Sequence, residues 1–358
     1  MKRNKSIDIV RAIAILIIVF YHAYTLTGNP YSGLFLSRFF ELGGEVGVTL
    51  FFLISGFGIY LSLASDDRKG QLTYGRFLRR RVVRILPQYY VCCVVLLLFT
   101  SQASLLSKAG LPHLITHALL IHNLWANTNG SINGALWTMG TVFQFYLISV
   151  LLYRAIKRRP VLTLVASVVA SMLCKYLIYH VGLAPRGAES ILYFIYGRQL
   201  LPALDNFVVG MFLSWLLSRP KMQQESTGRQ WLFALPCLAG MGALVLWMLP
   251  ISHYGLYGDF PLAYCWHSVL ALLLGATVFF FTQLPFRYSS PLSKGLLFVS
   301  KNQYGIYLWH MPLIQTLLGY STVVQGLLSH SFAITFLVIL ALAIVVGTVS
   351  TRLIDHTR

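Results

Sequence analysis

Long apolar runs alternate with short polar segments along the whole chain. Ten of these runs approach the length of a membrane-spanning helix, which is about 20 residues for a hydrocarbon core of roughly 30 Å. They cover residues 7–26, 46–64, 85–99, 136–156, 161–181, 200–217, 231–249, 264–283, 303–319 and 332–353. The pattern predicts an all-α polytopic membrane protein with about ten transmembrane helices. We expect one domain over residues 1–358 and no appended soluble domain.

Composition agrees with this class, because 57% of the residues are hydrophobic and only 11% are charged, against about 25% charged in soluble domains. The net charge of +18 raises nucleic-acid binding as an alternative, so the positions of the cations matter. Of the 28 Lys and Arg residues, only Arg38, Lys108, Arg186 and Arg198 fall in loops on the side opposite the N-terminus. By the positive-inside rule both termini are cytoplasmic, and we expect a multi-pass inner-membrane protein that binds no nucleic acid.

A short apolar segment, residues 111–125, lies outside the ten runs. It is too short to cross and predicts an interfacial or re-entrant helix on the outer side. Its His113 and His117 have the i, i+4 spacing of metal ligands on a helix, but no nearby carboxylate or cysteine completes a zinc pattern. We therefore expect no metal, with a histidine-bound metal as the alternative.

The first run contains two ionisable residues, Arg11 and His22. Their separation corresponds to about 20° of net rotation and roughly 16 Å of rise, so both lie on one helix face. Arg11 lies near the inner interface and His22 lies nearer the outer side. Snorkelling and helix–helix hydrogen bonds are the structural alternatives. Ionisable groups inside spans usually mark function. An arginine can bind a phosphate, and a histidine can deprotonate a hydroxyl. Arg11 and His22 together therefore suit a reaction between a phosphorylated donor from the cytoplasm and a hydroxyl on the outer side.

Five segments resemble the acyltransferase 3 family of membrane acyltransferases, in the order in which that family has them. The segments are RAIAILIIVFYH (11–22), GVTLFFLISGF (47–57), RRRVVRILPQYY (79–90), LWTMGTVFQFYLI (136–148) and YGIYLWHMPLI (304–314). One departure concerns the fourth segment, where many members have two adjacent glutamates and this chain has Val142 and Phe143. Any role of those acids is absent here or belongs to another residue.

The resemblance implies an integral-membrane O-acyltransferase with acetyl-CoA as co-substrate. The acetyl group would pass to a hydroxyl of an extracytoplasmic cell-envelope carbohydrate, such as lipopolysaccharide, exopolysaccharide or a similar glycan or glycolipid. The partners implied are the acyl-CoA donor, this acceptor and membrane lipids. A secondary transporter or glycan exporter is the alternative, since buried ionisable groups also suit transport.

Roles for single residues follow partly from this resemblance. It implies that His22 is the catalytic base or a transient acyl carrier and that Arg11 contacts the CoA end of the donor. Glu45 lies just before the second run and could orient His22, as an acid does in hydrolase triads. Arg80, Arg81 and Arg84 are expected to bind the nucleotide of CoA, with anchoring to anionic lipids as the alternative.

Four further residues complete the predicted site. Counted from residue 303, His310 lies only about 10 Å deep, too shallow to share the proton transfer of His22, so we expect it to line the donor tunnel. Trp137 and Gln144 keep the family pattern of the fourth segment and are expected to bind the acceptor. Arg198 is a rare outer cation and is expected to join them, or else to anchor the membrane interface.

Overall fold

The structure is a computed structural model that describes residues 4–31, 37–99, 101–183, 190–219, 230–249, 263–286, 288–319 and 331–356. Arg186, one of the predicted outer cations, lies outside these ranges. Within them the regular secondary structure is entirely helical. The α-helices are α1 (Lys5–Leu26), α2 (Ser37–Glu41), α3 (Gly43–Arg68), α4 (Tyr74–Phe99), α5 (Leu111–Ala118), α6 (Trp137–Arg158), α7 (Pro160–Tyr176), α8 (Ser190–Tyr196), α9 (Leu204–Leu217), α10 (Ala234–Met248), α11 (Ala263–Gln283), α12 (Pro291–Gly319) and α13 (Phe332–His356).

Short helical turns connect some of these helices. A π-helical turn, Leu177–Leu183, continues α7, and 3₁₀ turns span Ser101–Leu106, Lys108–Gly110, His122–Leu124 and Gln230–Phe233. Every predicted apolar run contains part of a helix. Among the described residues, seven helices are long and apolar enough to cross a membrane, namely α1, α3, α4, α6, α7 with its π turn, α11 and α13. Two shorter apolar helices are α9 and α10. The described part of the chain is therefore all-helical, with the long apolar helices of a multi-pass membrane protein.

Two helices begin well before the apolar run that predicted them. The helix α4 begins at Tyr74 instead of residue 85, and α12 begins at Pro291 instead of residue 303. In both, the first turns are rich in Arg, Lys or Ser, which a hydropathy criterion excludes from a span. The polar turns remain helical because a helix satisfies its own backbone hydrogen bonds whatever its side chains are.

The bundle is built around α1, α3 and α9. The broadest helix contacts are α3 on α9, α12 on α13, and α1 on both α12 and α3. Close approach of α3 and α9 depends on two reciprocal glycines: a methyl group on Gly56 would meet the carbonyl of Phe207, and one on Gly210 would meet the carbonyl of Leu53. Small residues at such crossings let helix backbones pack closely in membranes.

The outer surface of the bundle is apolar where lipid would contact it. On α7 the residues Val161, Val165, Val169 and Leu173 follow at i, i+4 spacing, and each is between 53% and 61% exposed. In water such a stripe would indicate a partner surface. In a bilayer it faces hydrocarbon at no cost.

Replacement of Gly56 by valine should destabilise the bundle, because the new side chain meets the backbone of α9. Overpacking of this kind costs about 1–3 kcal/mol. The matched control is Gly58→Val on the same helix, where the nearest atom to an added Cβ is the Arg11 guanidinium at 3.9 Å. Thermal unfolding of the two detergent-purified variants measures the difference. Equal midpoints would show that the α3–α9 crossing does not need glycine.

Candidate active site

Two histidines from different helices meet inside the bundle. The rings of His22 on α1 and His310 on α12 have centroids 5.3 Å apart. His22 lies about 26 Å of helical rise from the start of α1 at Lys5, and His310 lies about 28 Å from the start of α12 at Pro291. The two residues therefore lie at the same level, towards the C-terminal ends of both helices.

This position corrects the depth predicted for His310. The expectation that His310 is too shallow to share chemistry with His22 is wrong, because α12 begins at Pro291 and not at residue 303. The polar residues Ser300, Lys301 and Gln303 concealed the first turns of the helix from a hydropathy reading. They belong to the helix and line the cavity described next.

A cavity of about 1580 Å³ occupies the end of the bundle that holds the first turns of α1 and α4 and the last turns of α3. Typical small-molecule sites have about 300–1,000 Å³, so this space is large enough for an extended ligand. We call it the basic cavity after its described cationic lining residues, which are Arg11, Arg68, Lys69, Arg76, Arg79, Arg80, Arg81, Arg84 and Lys301. Among the described lining residues, only Asp8 and Asp66 are acidic.

Both acids of the basic cavity engage an arginine. Arg11 donates to Asp8 at 2.7 Å, and Arg80 forms a bidentate pair with Asp66. Arg81 is held differently, with its guanidinium 5.3 Å from the ring centroid of Phe77. The predicted arginines Arg11, Arg80, Arg81 and Arg84 thus share one cavity wall. Since the cations outnumber the carboxylates, the cavity favours an anion such as a phosphate.

The far end of the basic cavity is apolar. Phe51, Ile54, Met139 and Val142 lie on its wall. Val142 occupies one of the positions where many family members carry glutamate, so the wall here is hydrocarbon instead of carboxylate. The described lining on α1 ends at Ala14, about 12 Å of helical rise below His22.

An aromatic pair lies between this apolar end and the two histidines. The Phe51 ring stacks on Tyr307 with centroids 5.5 Å apart, and Tyr307 lies 5.5 Å from His310. The Tyr307 hydroxyl hydrogen-bonds Thr138 and the carbonyl of Ala135. These contacts hold the Tyr307 ring at the boundary between the basic cavity and the histidines.

Glu45 lies in a second buried cluster, where its two oxygens have different partners. Oε1 accepts from Arg198, and Oε2 accepts from His267 Nε2 at 2.9 Å. The Arg198 guanidinium also lies over the rings of Phe194, at 3.8 Å, and Trp137, at 5.1 Å. The predicted residues Glu45, Trp137 and Arg198 are therefore brought together, and His267, which the sequence reading missed, joins them.

A second ion pair lies against this cluster. Lys175 Nζ is 3.7 Å from Asp205 Oδ2, and Ser268 hydrogen-bonds both residues. A void of about 20 Å³ lies among Glu45, Arg198, Lys175 and their neighbours, which is room for one water molecule. Paired in this way, buried charges avoid the several kcal/mol that an isolated charge costs.

Gln144 lies in an amide network beside the Glu45 cluster. Its Nε2 donates to Asn123 Oδ1 at 3.0 Å, and Asn123 donates to Thr141 and Gln199. Thr141 in turn contacts the carbonyl of Arg198 at 3.4 Å. The network fixes the segment that follows α5 against α6. Gln144 is thus connected to Arg198 through Asn123 and Thr141.

The predicted short helix between the spans is α5, and its histidines are used internally. His117 Nδ1 donates to the carbonyl of His113 at 2.9 Å, and the His117 ring stacks on His122 with centroids 4.0 Å apart. Burial lowers the pKa of His117 to about 3 and that of His122 to about 4. Both rings are therefore neutral near pH 7, which permits the stack. Among the described residues no group of three His, Cys, Asp or Glu side chains is placed to hold a metal.

Sequence comparisons place these features among known proteins. The family model described as "Acyltransferase domain" matches residues 4–352. A protein of Staphylococcus aureus named "Putative O-acetyltransferase" is 26% identical over 348 residues, covering 89% of this chain and 52% of the relative. The "Putative membrane-bound transacylase BcsY" of Komagataeibacter xylinus is 25% identical, covering 99% and 83%.

A third relative is named "Peptidoglycan O-acetyltransferase OatA", from Listeria monocytogenes, and is 24% identical, covering 86% of this chain and 49% of the relative. The chain thus spans about half the length of the staphylococcal and Listeria relatives. No solved structure matches the chain.

Replacement of Arg198 by methionine should lower the melting temperature strongly, because the buried Glu45 carboxylate then loses its arginine partner. Breaking a buried pair from one side costs about 3–5 kcal/mol. The control is Lys157→Met, which breaks an ion pair with Asp67 whose lysine is 60% exposed and should change the melting temperature little. Addition of Glu45→Gln to Arg198→Met should recover part of the loss. Similar melting temperatures for the two single variants would contradict this account of the cluster.

Proposed function

The chain belongs to the acyltransferase family matched over residues 4–352, and on that premise we propose that it is an integral-membrane O-acyltransferase. The proposed reaction transfers an acetyl group from cytoplasmic acetyl-CoA to a hydroxyl of an extracytoplasmic envelope carbohydrate. The names of the relatives support acetyl as the group and a glycan as the acceptor, since two are named O-acetyltransferases and one of these names peptidoglycan.

The observation that carries this proposal is the placement of two different environments along α1. Its N-terminal half lines the basic cavity through Asp8, Arg11 and Ala14, and its C-terminal half carries His22 beside His310. A phosphate-binding space and a proton acceptor on one membrane helix suit a donor and an acceptor that approach from opposite sides.

The basic cavity fits the chemistry of acetyl-CoA. The nucleotide phosphates of CoA match the wall that holds Arg80, Arg81 and Arg84, and the uncharged pantetheine arm matches the apolar end at Phe51 and Met139. We place Arg11 beside the pantetheine arm, between the arginine wall and the apolar end. His310 lies beyond this end, so we assign it to the reacting centre as well as to the end of the donor path.

The orientation in the membrane follows from the cations. We propose that both termini face the cytoplasm and that the protein has ten spans in the inner membrane, with α9, α10 and α12 as the remaining three. The wall of the basic cavity contains many of the basic residues that the positive-inside rule assigns to the cytoplasm. Acetyl-CoA is a cytoplasmic molecule, so this orientation gives it access to the cavity.

In the proposed mechanism His22 is the general base. The acceptor oxygen forms a bond to the acyl carbon as the C–S bond of the thioester breaks. The hydroxyl proton passes to His22 and then to the departing sulfur, which leaves as the CoA thiol, so no net proton is consumed. A positioned base of this kind contributes about 10²–10⁴-fold to a rate. An acyl group carried transiently on His22 would use the same residue as a nucleophile.

We place the acceptor on the side of Trp137, Gln144 and Arg198. Trp137 lies under the Arg198 guanidinium. The buried Glu45–Arg198–His267 cluster would shape the wall of the acceptor site, and Gln144 would hold that wall through Asn123.

His22→Ala should abolish acyl transfer and leave acetyl-CoA binding intact, because the basic cavity does not include His22. The measurement is the O-acetyl content of envelope glycans, by mass spectrometry, in a deletion strain complemented at matched protein levels. His180→Ala, on the π-helical turn after α7, is the control and should restore acetylation like the wild type. Full restoration by His22→Ala would exclude His22 from catalysis. Unchanged acetylation on deletion would favour the transporter alternative.

Arg84→Gln should weaken acetyl-CoA binding about tenfold, since a hydrogen bond to a charged group contributes about 1.5 kcal/mol or more. Binding of radiolabelled acetyl-CoA to sealed inside-out and right-side-out vesicles measures both the affinity and the side of access. The control is Arg158→Gln at the exposed end of α6. Binding only to right-side-out vesicles, or equal affinities for the two variants, would refute the assigned donor site.

A further inference from the structure

The two histidines of the reacting centre differ in exposure. The His310 side chain is completely buried, whereas His22 is half-buried. Of the two rings, only His22 therefore has accessible surface for a substrate hydroxyl. Any contribution of His310 to the chemistry passes through His22.

The proton on His310 is fixed by its own helix. Its Nδ1 lies 2.6 Å from the carbonyl oxygen of Tyr307. A carbonyl oxygen only accepts, so Nδ1 carries the proton. In the neutral ring this leaves Nε2 as an acceptor, and Nε2 is buried with no hydrogen-bond partner among the described residues. A buried acceptor without a donor is unfavourable by about 1–3 kcal/mol. A hydrogen bond from a nearby N–H or O–H group to this atom would therefore be stabilising.

Contacts of Tyr307 hold the backbone that binds His310. Tyr307, whose carbonyl accepts from His310, is itself anchored by Thr138 and by the carbonyl of Ala135. Its ring stacks on Phe51 of α3. His310 thus projects from a rigid support towards α1, where the ring of His22 lies 5.3 Å away, centroid to centroid.

From this geometry we propose that His310 is a positioning residue that fixes the tautomer of His22. In the reacting complex, a turn of the His22 ring brings one of its N–H groups to His310 Nε2, which accepts it, and the other His22 nitrogen is then unprotonated and faces the acceptor hydroxyl. The same arrangement supports the buried base of a hydrolase triad, where the third group is a carboxylate. We assign the role to His310 rather than to Glu45, because the His310 ring contacts the His22 ring, whereas the Glu45 carboxylate binds Arg198 and His267. This inference rests on the proposed acyltransferase function.

The pair also stabilises the charge that forms during transfer. When the hydroxyl proton moves to His22, the ring becomes an imidazolium, and its second N–H remains hydrogen-bonded to His310 Nε2. The Nδ1–H of His310 in turn remains bonded to the Tyr307 carbonyl. The proton leaves His22 for the CoA sulfur in the next step, so His310 exchanges no proton with the substrates and the reaction stays balanced.

The test compares two substitutions of His310 in the full chain, purified in lipid nanodiscs. Leucine removes the acceptor, whereas glutamine keeps an oxygen acceptor in the same region. Radiolabelled acetyl-CoA is the donor and membranes of the deletion strain supply the acceptor. We expect His310→Leu to lower kcat about 100-fold or more with the KM for acetyl-CoA changed less than about threefold. His310→Gln should retain at least tenfold more kcat than His310→Leu, and His180→Leu should behave like the wild type.

A spectroscopic measurement separates positioning from folding. In ¹⁵N-histidine-labelled protein, the difference between wild type and His22→Ala identifies the two ring nitrogens of His22. In the wild type one nitrogen should have the shift of a protonated and the other that of an unprotonated imidazole nitrogen. In His310→Leu the two shifts should move towards each other as the tautomers mix.

Two outcomes would overturn the proposal. One is equal kcat for His310→Leu, His310→Gln and wild type, and the other is an unchanged His22 tautomer in a folded His310→Leu variant. Both assume that the wild type transfers acetyl from acetyl-CoA. A wild type that transfers none would instead refute the proposed function, so the two failures are distinguishable.

Discussion

The exclusion of unpaired charge from the bilayer determines how the interior of this protein is arranged. Ionisable side chains inside spans are costly and require partners, and the structure supplies them from different helices. Glu45 binds Arg198 and His267, and Lys175 binds Asp205. The His22–His310 pair is the exception, because two imidazoles can be buried without charge. A neutral imidazole keeps a nitrogen that can accept a proton, whereas the charged groups of each ion pair already bind each other.

The same constraint separates the proposed donor and acceptor regions along α1. Cations gather at the end of the bundle that holds Arg11 and the first turns of α4, where water and phosphate can compensate them. Above this region the wall becomes apolar, and the Phe51–Tyr307 stack marks the boundary with the histidines. A long, partly apolar donor could remain in the basic cavity while only its small acyl end passes this boundary. This boundary agrees with the proposed transfer of a short acyl group.

The sequence predicted the helical class and the positions of the apolar runs, because these depend on periodicity and length alone. It located the residues of the basic cavity through their charge. It misplaced His310, because a polar helical start at Pro291 cannot be distinguished from a loop by hydropathy. It also missed His267, Asp8 and Tyr307, whose contacts join segments far apart in the chain. Periodicity contains no information about which helices become neighbours.

The most direct test of this account is a cryo-EM structure of the full chain in nanodiscs with a non-hydrolysable thioether analogue of acetyl-CoA. We expect nucleotide density against Arg80, Arg81 and Arg84, an arm that passes Arg11 and Phe51, and an acyl carbon next to the ring of His22. Analogue density outside the basic cavity, or an acyl end that points away from His22 and His310, would contradict it.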